Sequence, residues 1–376
     1  MKLLIMYHSG LATDARVIFK EYARRGIDLT VIVPNHAPDE KEFEYVALQF
    51  RAAFNFFKLF FVIKKVNPNI IHVFGEYSSI SVFQAIVCRN ILYWLTKHRI
   101  PIVCLTFANL PYVPFSLTFT SLTAFVRRLI LRVFTVFTFY YHKNNVDGII
   151  AISKESLQKE RGVGAKAVGK VIFWGVNLGL FYPKNRDICR KVLAIPKEVR
   201  VVGYVGRVIR EKGLEKLVRA VAGFNDYHLI LVGNGNYESE LKKLVVLLGI
   251  ESRVHFYNSV NLGELVNYYN CMDVFVLPSQ TIVNWAEQYG RVLVEAMACH
   301  LAVVGSSSGA IPSVLENYPK HIIFKEDSLP ELINSIQKVQ NLTFPISFNV
   351  KNFLHKFSVE NFVAENIVFY KNLITK

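Results

Sequence analysis

The chain has 376 residues, too many for one ordinary hydrophobic core, and its length therefore predicts two domains. Hydrophobic residues make up 52% of the chain and charged residues 19%. That balance excludes a disordered protein and suits α/β domains whose central strands are buried on both faces. The formal net charge of +15 predicts a negatively charged partner, either anionic lipid, a phosphorylated ligand or nucleic acid.

The basic surplus lies in the first half of the chain. Between Arg51 and Lys143 there are eleven Lys or Arg, and the only acidic residue between Arg51 and Asp147 is Glu76. Within this region, the segment Ser121–His142 mixes arginines with aromatic residues. Such a helix could lie in a membrane interface, or it could simply cover the first sheet. Its arginines argue against a transmembrane helix.

The cysteines and the amino terminus predict a cytoplasmic protein. The five cysteines are odd in number and scattered, and none forms a Cys-x-x-Cys pair, so neither a disulfide nor a zinc site is expected. Lys2 is followed by a short apolar run that is typical of a strand and unlike a signal peptide. A peripheral position at the inner face of the cell membrane is the second interpretation.

Strand-like and helical stretches alternate through the first half. This alternation predicts a doubly wound parallel sheet with helices on both faces. The predicted strands are Lys2–Tyr7, Asp28–Pro34, Asn69–Phe74, Ile100–Thr106, Gly148–Ile152 and Val168–Phe173. The predicted helices are Asp14–Arg25, Ala47–Lys65, Ser79–Lys97 and Ser121–His142.

The stretch Gly175–Lys197 is rich in turn formers and polar residues and is expected to link the domains. A second α/β pattern begins at Arg200 and ends with a long amphipathic helix, Val359–Ile374. Its predicted strands are Val201–Val205, His228–Val232, Val254–Tyr257, Val274–Leu277, Ala302–Gly305 and His321–Phe324. Its predicted helices include Leu214–Phe224, Glu238–Leu248, Gly263–Cys271 and Val292–Cys299. The chain therefore has two similar α/β halves.

The first candidate motif, Gly203–Gly213, follows a strand and leads into a helix. Gly206 lets the backbone approach a ligand, while Arg207 and Lys212 offer positive charge. A helix amino terminus near Gly213 adds N–H donors to the same place. The motif predicts a diphosphate site, although an ordinary solvated loop with two surface bases has the same spacing.

A second motif, Glu287–Cys299, follows the strand that ends at Leu277-Pro278-Ser279. Gly290 separates loop from helix, so Glu287 is expected in the loop and Glu295 in the helix. Two carboxylates held there could accept hydrogen bonds from sugar hydroxyls or stabilise oxocarbenium-like charge. The alternative is a salt-bridged helix start.

Two glycine-containing turns complete the set. The loop Ser306–Pro312 runs from a strand into a helix and could expose N–H groups to an anion. An ordinary turn between a strand and a helix would have the same sequence pattern. Gly233-Asn234-Gly235 also follows a strand, and there a tight turn is favoured because no phosphate-loop spacing is present.

These segments, in this order, resemble the second half of the family 4 glycosyltransferases, which are retaining enzymes of the GT-B fold. The resemblance rests on the combination of motifs and extends weakly over the first half, through Ile71-His72-Val73, Ala151-Ile152-Ser153 and Gly175-Val176-Asn177. It implies two Rossmann-like domains facing a cleft. The implied acceptor-side domain is 1–180 and the donor-binding domain 181–358, with helix 359–376 crossing back to the first domain.

The resemblance also implies roles for individual residues. Arg207 and Lys212 would hold the donor diphosphate and, with Glu287 at the transferring sugar, take part in catalysis. Glu295 would bind the ribose, and the base would stack near His255–Asn258. The implied donor-binding set is Glu295, Arg207, Lys212, Gly206, Gly290, Arg291, Val292, Gly309, Ala310 and Tyr257.

Departures from the family pattern concern mainly the acceptor side. The glycine-rich loop after the first strand is reduced to Gly10, and a usual histidine after the fourth strand is absent. A subset of the family that this chain resembles has Asn after the fourth strand and an acidic pair after the third, so Asn109 and Glu76, together with Gly10, are the acceptor-side candidates. His300 replaces a usual glycine, at a position where the backbone is expected to need positive φ.

The predicted function is transfer of a hexose-type sugar from a UDP- or GDP-sugar to a glycan, lipid-linked or small-molecule acceptor. A nucleotide-sugar epimerase and a non-catalytic nucleotide-sugar-binding subunit are the alternatives. Because the sequence has no Asp-x-Asp motif, no metal is expected, and no cofactor is predicted. Nucleic acid is not an expected partner because no recognised binding module occurs.

Overall fold

A computed structural model gives the fold of the chain and describes every residue except 8–12, 35–41, 49–54, 76–78, 108–132, 134, 135, 139, 284 and 376, with the side chains of 13 and 14 also left out. The chain divides into two compact units. The first unit consists of Met1–Gly175 together with Val359–Lys376, and the second unit is Val176–Ser358.

The first unit is built on a seven-stranded sheet. Its strands run in the order β3-β2-β1-β4-β5-β6-β7, and every described pairing is parallel. The strands are β1 (Lys2–Tyr7), β2 (Asp28–Val33), β3 (Glu44–Ala47), β4 (Ile70–Phe74), β5 (Ile102–Thr106), β6 (Gly148–Ala151) and β7 (Val168–Val171). The helices are α1 (Thr13–Arg24), α2 (Asn55–Val66), α3 (Ile80–Thr96), α4 (Lys154–Gly162) and the last helix of the chain.

The core of this unit lies on both faces of the sheet. On one face, α2 and α3 bury Leu59, Ile63 and Ile86 against strand residues such as Leu4 and Val73. Strand β4 is fully buried, as expected for a central parallel strand covered on both sides.

The last helix, Val359–Ile374, packs against α1 in the first unit. It contributes the Phe362 ring, which lies 5.3 Å from that of Trp174. It also contributes Tyr370, whose hydroxyl lies 2.5 Å from His72 Nδ1 and 2.9 Å from the Tyr22 hydroxyl. All three members of this polar group are completely buried. Burial lowers the pKa of His72 to about 3, so the imidazole is neutral.

A six-stranded sheet forms the second unit, in the parallel order β10-β9-β8-β11-β12-β13. The strands are β8 (Arg200–Val205), β9 (Tyr227–Val232), β10 (Val254–Tyr257), β11 (Val274–Leu277), β12 (Ala302–Ser306) and β13 (His321–Phe324). The helices are α5 (Arg186–Val192), α6 (Leu214–Ala222), α7 (Glu238–Leu247), α8 (Leu262–Cys271), α9 (Arg291–Ala298), α10 (Ile311–Leu315), α11 (Leu329–Val339) and α12 (Val350–His355). The helix after α12, α13 (Val359–Ile374), is the last helix already assigned to the first unit, and three short 3-10 helices lie at Leu178–Leu180, Arg210–Lys212 and Glu251–Arg253.

The predicted fold class, two doubly wound parallel α/β halves, is confirmed. Two local predictions are wrong. Ala47 ends the edge strand β3 and does not begin a helix, and the expected linker Gly175–Lys197 contains α5. In α5 the Asn185 side chain accepts a hydrogen bond from the Ile188 N–H, so this polar stretch is a capped helix.

Two further expectations concern single places in the chain. His300 has φ 61°, the positive value expected at that position. Only residues 133, 136–138 and 140–142 of the predicted helix Ser121–His142 are described, and all are helical. No helix in the described part of the chain is long and apolar enough to span a membrane.

Candidate functional site

The candidate motifs of the second unit meet at the carboxyl edge of its sheet. Strands β8 and β11 are neighbours at the centre, and the chain winds outwards from β8 through β9 and from β11 through β12. The loops after β8 and β11 therefore diverge from the same point. Crevices at such switch points are the usual ligand sites of open parallel sheets.

The loop after β8 presents Arg207 to solvent. The Tyr204 hydroxyl, buried below the loop, donates a hydrogen bond to the Arg207 carbonyl oxygen at 2.7 Å. The backbone at Gly206 has φ 146°, and a Cβ built on Gly233 would lie 2.0 Å from the Gly206 oxygen. Glycine is therefore required where the loops after β8 and β9 touch, and their contact fixes the backbone that carries Arg207.

A cavity of about 250 Å³ lies beside Arg207. Its floor is the ends of β8 and β9, and its outer wall comes from the segment after β10 and from α8. The Asn234 side-chain oxygen accepts a hydrogen bond from the Ser259 N–H at 3.2 Å, which ties two of the walls together. The lining residues are Val205, Gly206, Arg207, Val232, Gly233, Asn234, Ser259, Val260 and Leu265.

Lys212 and Glu287 form a buried ion pair between the two central loops. Lys212 Nζ lies 2.5 Å from Glu287 Oε2, and the Ser279 hydroxyl donates to the same oxygen at 2.6 Å. Gly213 brings the loops together, because a Cβ there would lie 2.0 Å from the Pro278 oxygen. Lys212 Nζ also lies 5.1 Å from the centre of the partly exposed Trp285 ring, within cation–π range.

The loop after β12 fixes the backbone of Glu287. The Ala310 N–H donates to the Glu287 carbonyl oxygen at 2.9 Å, and the Glu287 N–H donates to the Ser308 hydroxyl at 3.3 Å. Gly309 has φ 51°, and a Cβ on it would lie 2.1 Å from the Glu287 oxygen. The Ser306 hydroxyl donates to the Ser279 carbonyl oxygen at 2.6 Å. Glu287 is thus held from three loops.

Glu295 lies in the second turn of α9, which begins after Gly290 with φ 73°. Its side chain is buried, yet both carboxylate oxygens have partners: the Tyr269 hydroxyl donates to Oε2 at 2.6 Å, and Arg291 Nε lies 3.2 Å from Oε1. These contacts offset the cost of burying a charge and orient the carboxylate.

Two buried phenols keep their protons beside these carboxylates. Burial, followed by the charge of Glu287, raises the pKa of Tyr204 well above its usual value. Burial and the charge of Glu295 do the same for Tyr269. Both hydroxyls are therefore hydrogen-bond donors at neutral pH.

The structure brings the predicted donor residues of the second unit, apart from Tyr257, to the segments that follow β8, β11 and β12. Arg207 lines the cavity, Lys212 pairs with Glu287, and Gly309 and Ala310 adjoin the Glu287 backbone. Arg291 pairs with Glu295, and Gly290 and Val292 flank Arg291 at the helix start. Tyr257 ends β10, and its hydroxyl donates to the Leu193 carbonyl oxygen at 3.2 Å.

The acceptor-side candidates Gly10, Glu76 and Asn109 lie outside the described residues. Sequence reasoning missed several residues of this arrangement, namely Ser259, Leu265, Tyr269 and Trp285, and it treated Asn234 as part of a tight turn. The only signal in the sequence that could have identified these residues is their position after or between predicted strands. Among the described residues no group of three or more His, Cys, Asp or Glu could hold a metal ion.

Residues 185–343 match the family model described as glycosyl transferases group 1. Two relatives are similar to part of the chain. A D-inositol 3-phosphate glycosyltransferase of Mycolicibacterium smegmatis is 34% identical over 147 residues, which are 38% of this chain and 33% of the relative. An uncharacterized glycosyltransferase of Methanocaldococcus jannaschii is 28% identical over 218 residues, 54% of this chain and 53% of the relative. The match thus spans about a third to a half of these relatives' length.

Solved structures resemble the chain over almost its whole length. Sucrose-phosphate synthase from Thermosynechococcus elongatus gives a TM-score of 0.73 at 19% identity, covering 100% of this chain and 99% of the other. Anabaena HepE, solved in complex with UDP, gives 0.76 at 19% identity, covering 99% and 100%. These neighbours are GT-B glycosyltransferases, and at such identity the likeness establishes the fold.

Proposed function

We propose that the protein is a retaining glycosyltransferase that moves a hexose-type sugar from a nucleoside diphosphate-sugar to an acceptor hydroxyl. The observation that carries the proposal is the buried Lys212–Glu287 pair at the switch point of the sheet, with the exposed Arg207 on the same loop as Lys212. Cations and a fixed carboxylate at one place suit a reaction that separates a diphosphate from a positively charged sugar. The match of residues 185–343 to group 1 glycosyl transferases supports the same reaction class.

Arg207 and Lys212 are proposed to bind the donor diphosphate. The bond between the sugar carbon C1 and the diphosphate oxygen breaks, and negative charge grows on the leaving group. Arg207 carries a fork of donors, whereas the Lys212 ammonium has three N–H groups, one of them directed to Glu287. Both side chains would bind the departing diphosphate more strongly than the intact donor, which lowers the barrier.

Glu287 is proposed to face the transferred sugar. Ser279 and Lys212 both contact its Oε2 atom, so the carboxylate is oriented before any substrate binds. Its negative charge would stabilise the oxocarbenium-like transition state or accept a hydrogen bond from a sugar hydroxyl. In the retaining reaction the acceptor oxygen bonds to C1 on the face that the diphosphate leaves, and the acceptor proton passes to the leaving phosphate oxygen.

The remaining donor contacts follow from the helix start at α9 and its surroundings. Glu295, oriented by Tyr269, is proposed to accept hydrogen bonds from the ribose hydroxyls. Gly290, Arg291 and Val292 would flank the nucleotide there, and Gly309 and Ala310 would lie near the phosphate or the sugar. The base is proposed to lie near Tyr257.

UDP is the proposed nucleotide, with GDP as the competing choice, because Anabaena HepE was solved with UDP. The decisive experiment is a thermal-shift series with UDP, GDP, ADP and their sugars. A ligand that binds only the folded state increases the free energy of unfolding, by about 2.7 kcal/mol at a concentration of 100 Kd. The melting temperature therefore rises once the ligand concentration exceeds Kd. No shift with any sugar nucleotide would contradict the proposal.

Product analysis then tests the reaction. Incubation of the stabilising sugar nucleotide with a panel of glycan, lipid-linked and small-molecule acceptors should yield free nucleoside diphosphate and a glycoside with the donor's anomeric configuration. Conversion of the donor to an epimer without an acceptor would point to an epimerase. Tight binding with no turnover across the panel would point to a non-catalytic subunit.

We place the reaction in the cytoplasm.

A further inference from the structure

Helix α2 of the first unit turns a stripe of phenylalanine and lysine to solvent. The buried side of the helix carries Leu59 and Ile63. Its exposed positions follow the spacing of one helix face, and two of them, Phe57 at 67% and Phe61 at 62% exposure, are aromatic. The exposed residues are Phe57, Lys58, Phe61, Lys64 and Lys65. A solvated helix normally places such phenylalanines on its buried side, so this stripe calls for an explanation.

The neighbouring helix α3 continues the apolar surface. It packs against α2, and one row of its positions, spaced three or four residues apart, is apolar. Its last turn exposes Trp94 at 73%. The residues of this row are Ile80, Phe83, Val87, Ile91 and Trp94, of which Phe83 and Val87 are half-buried.

A third stretch, preceding β6, extends the same surface. The Phe137 ring lies 6.1 Å from that of Phe83, and the Asn90 side chain donates to the Tyr141 hydroxyl at 3.0 Å, so this stretch packs along α3. Its exposed large side chains are Val133, Val136, Phe137 and Tyr140. We call these outward residues of α2, α3 and the third stretch the aromatic–basic face.

The charges on this face are basic. Helices α2 and α3 contain no acidic residue. Nearby carboxylates are already engaged: Glu44 lies 4.0 Å from Lys65, and Asp147 pairs with Arg89 and Arg99. Surfaces that lie in the headgroup region of an anionic bilayer typically combine exposed aromatic residues with lysines at their margin.

We propose that the aromatic–basic face docks the first unit on an anionic lipid bilayer and that the acceptor is therefore lipid-linked. The second clause rests on the proposed glycosyltransferase function, whereas the docking itself does not. A two-fold contact between copies of the chain would bring Lys58, Lys64 and Lys65 against a lysine-bearing surface of the same kind, and like charges oppose that arrangement. Anionic headgroups instead neutralise the lysines and attract the face to the bilayer.

Vesicle co-sedimentation tests the docking. The full chain should sediment with equimolar phosphatidylglycerol–phosphatidylcholine vesicles at low ionic strength, bind phosphatidylcholine vesicles much more weakly, and release in about 0.5 M salt. Trp94 supplies a local signal. Anionic vesicles should shift tryptophan emission to the blue. Trp94→Phe should remove most of that shift, because Trp174 is buried in the first unit and Trp285 belongs to the second unit, outside the proposed docking face.

Two variants probe the two components of the face. Phe57→Ser/Phe61→Ser should lower the vesicle partition coefficient about tenfold, and Lys58→Glu/Lys64→Glu should abolish the preference for anionic vesicles. The matched control is Val246→Ser/Leu247→Ser, which removes two exposed apolar residues of α7 in the second unit and should leave sedimentation unchanged.

The outcomes separate this inference from the proposed function. Each variant should keep the wild-type melting temperature and the UDP-dependent thermal shift. A wild-type chain that ignores anionic vesicles, or variants that bind them as wild type does, would overturn the docking even if the sugar nucleotide binds. A dimer that becomes monomeric in Phe57→Ser/Phe61→Ser, without vesicle binding, would reassign the face to self-association. Vesicle binding without nucleotide binding would contradict only the glycosyltransferase proposal.

Discussion

Lys212 and Glu287 are 75 positions apart in the sequence, yet the ammonium of one lies 2.5 Å from a carboxylate oxygen of the other. Both side chains are buried, and Ser279 donates to the same oxygen. Burial of a charged pair carries a desolvation cost that good hydrogen-bond geometry must offset. The pair therefore constrains the loops after β8 and β11 as one unit, and it couples the stability of this region to its proposed chemistry.

Replacing Lys212 with Met should impair both stability and turnover. It leaves the Glu287 carboxylate buried beside Ser279 without its cation, a loss of about 3 kcal/mol in unfolding free energy. It also removes the positive charge that is proposed to stabilise the leaving diphosphate, and this loss should lower kcat/KM at least about 100-fold. Denaturant unfolding and initial-rate kinetics measure the two effects.

The double variant Lys212→Met/Glu287→Gln separates those effects. Neutralising both partners should recover most of the lost stability while turnover stays low, since neither proposed role is restored. Lys242→Met is the control, because Lys242 forms an exposed ion pair with Glu238 whose loss should cost only about 0.5 kcal/mol. Full activity in Lys212→Met would remove Lys212 from the mechanism.

Gly309→Ala should disturb the Glu287 loop. The added Cβ would lie 2.1 Å from the Glu287 carbonyl oxygen, at a backbone φ of 51° that alanine adopts poorly. We expect a stability loss of about 2 kcal/mol and a lower kcat. The matched control is Gly263→Ala in α8, where a Cβ meets nothing within 4 Å. Equal, small effects of the two substitutions would refute the close-packing argument.

Tyr269→Phe should weaken donor binding more than it slows chemistry. It deletes the hydroxyl that donates to Glu295 at 2.6 Å and keeps the ring. The lost hydrogen bond to a charged group should reduce unfolding free energy by about 2 kcal/mol, and a less ordered Glu295 should raise the donor KM. In Tyr318→Phe, which removes a buried hydrogen bond to the Leu301 carbonyl oxygen, only stability should fall. A donor KM equal to wild type in Tyr269→Phe would contradict the proposed role of Glu295.

Acidification should unfold the first unit partly through His72. Its pKa is about 3 in the folded chain, against about 6.5 when exposed. The unfolded state therefore binds the extra proton first, so the stability contribution is intact above pH 6.5 and declines as pH falls towards 3. The slope from this group approaches about 1.4 kcal/mol per pH unit between those values.

His72→Gln should flatten that dependence, as measured by urea unfolding from pH 7 to pH 4. The exposed His98 provides the matched control, and His98→Gln should leave the slope as it is in wild type. Histidines 228, 255 and 300, whose pKa values burial also lowers, contribute with the same sign and persist in both variants. An unaltered slope in His72→Gln would show that acid sensitivity arises elsewhere.

The strands of the second unit could be predicted because buried parallel strands are nearly continuous apolar runs. Val274–Leu277, for example, has no polar residue and is fully buried. Strand β3 escaped prediction because its four residues, Glu44–Ala47, lie at the sheet edge and are at most half-buried. The capped helix α5 was mistaken for linker, since its charged residues outnumber its apolar ones and leave a weak periodic signal.

Glu287 and Glu295 could be identified as candidates from their spacing around Gly290, but their partners could not. Tyr269 reaches Glu295 from α8, 26 positions away, and Trp285 reaches Lys212 from the loop after β11. Such contacts depend on how helices and loops pack, and no local pattern of residue types encodes them.

The two segments of the first unit have a consequence for biosynthesis. A ribosome releases Val176–Ser358 before it releases α13, the helix that supplies Phe362 and Tyr370 to the first unit. At usual elongation rates the delay is roughly ten to forty seconds. During that interval Trp174 and Tyr22 lack their final partners while the contiguous second unit can already fold. Nascent chains should therefore engage chaperones through the earlier-made half, and carboxyl-terminal truncations should be degraded rather than accumulate as an active fragment.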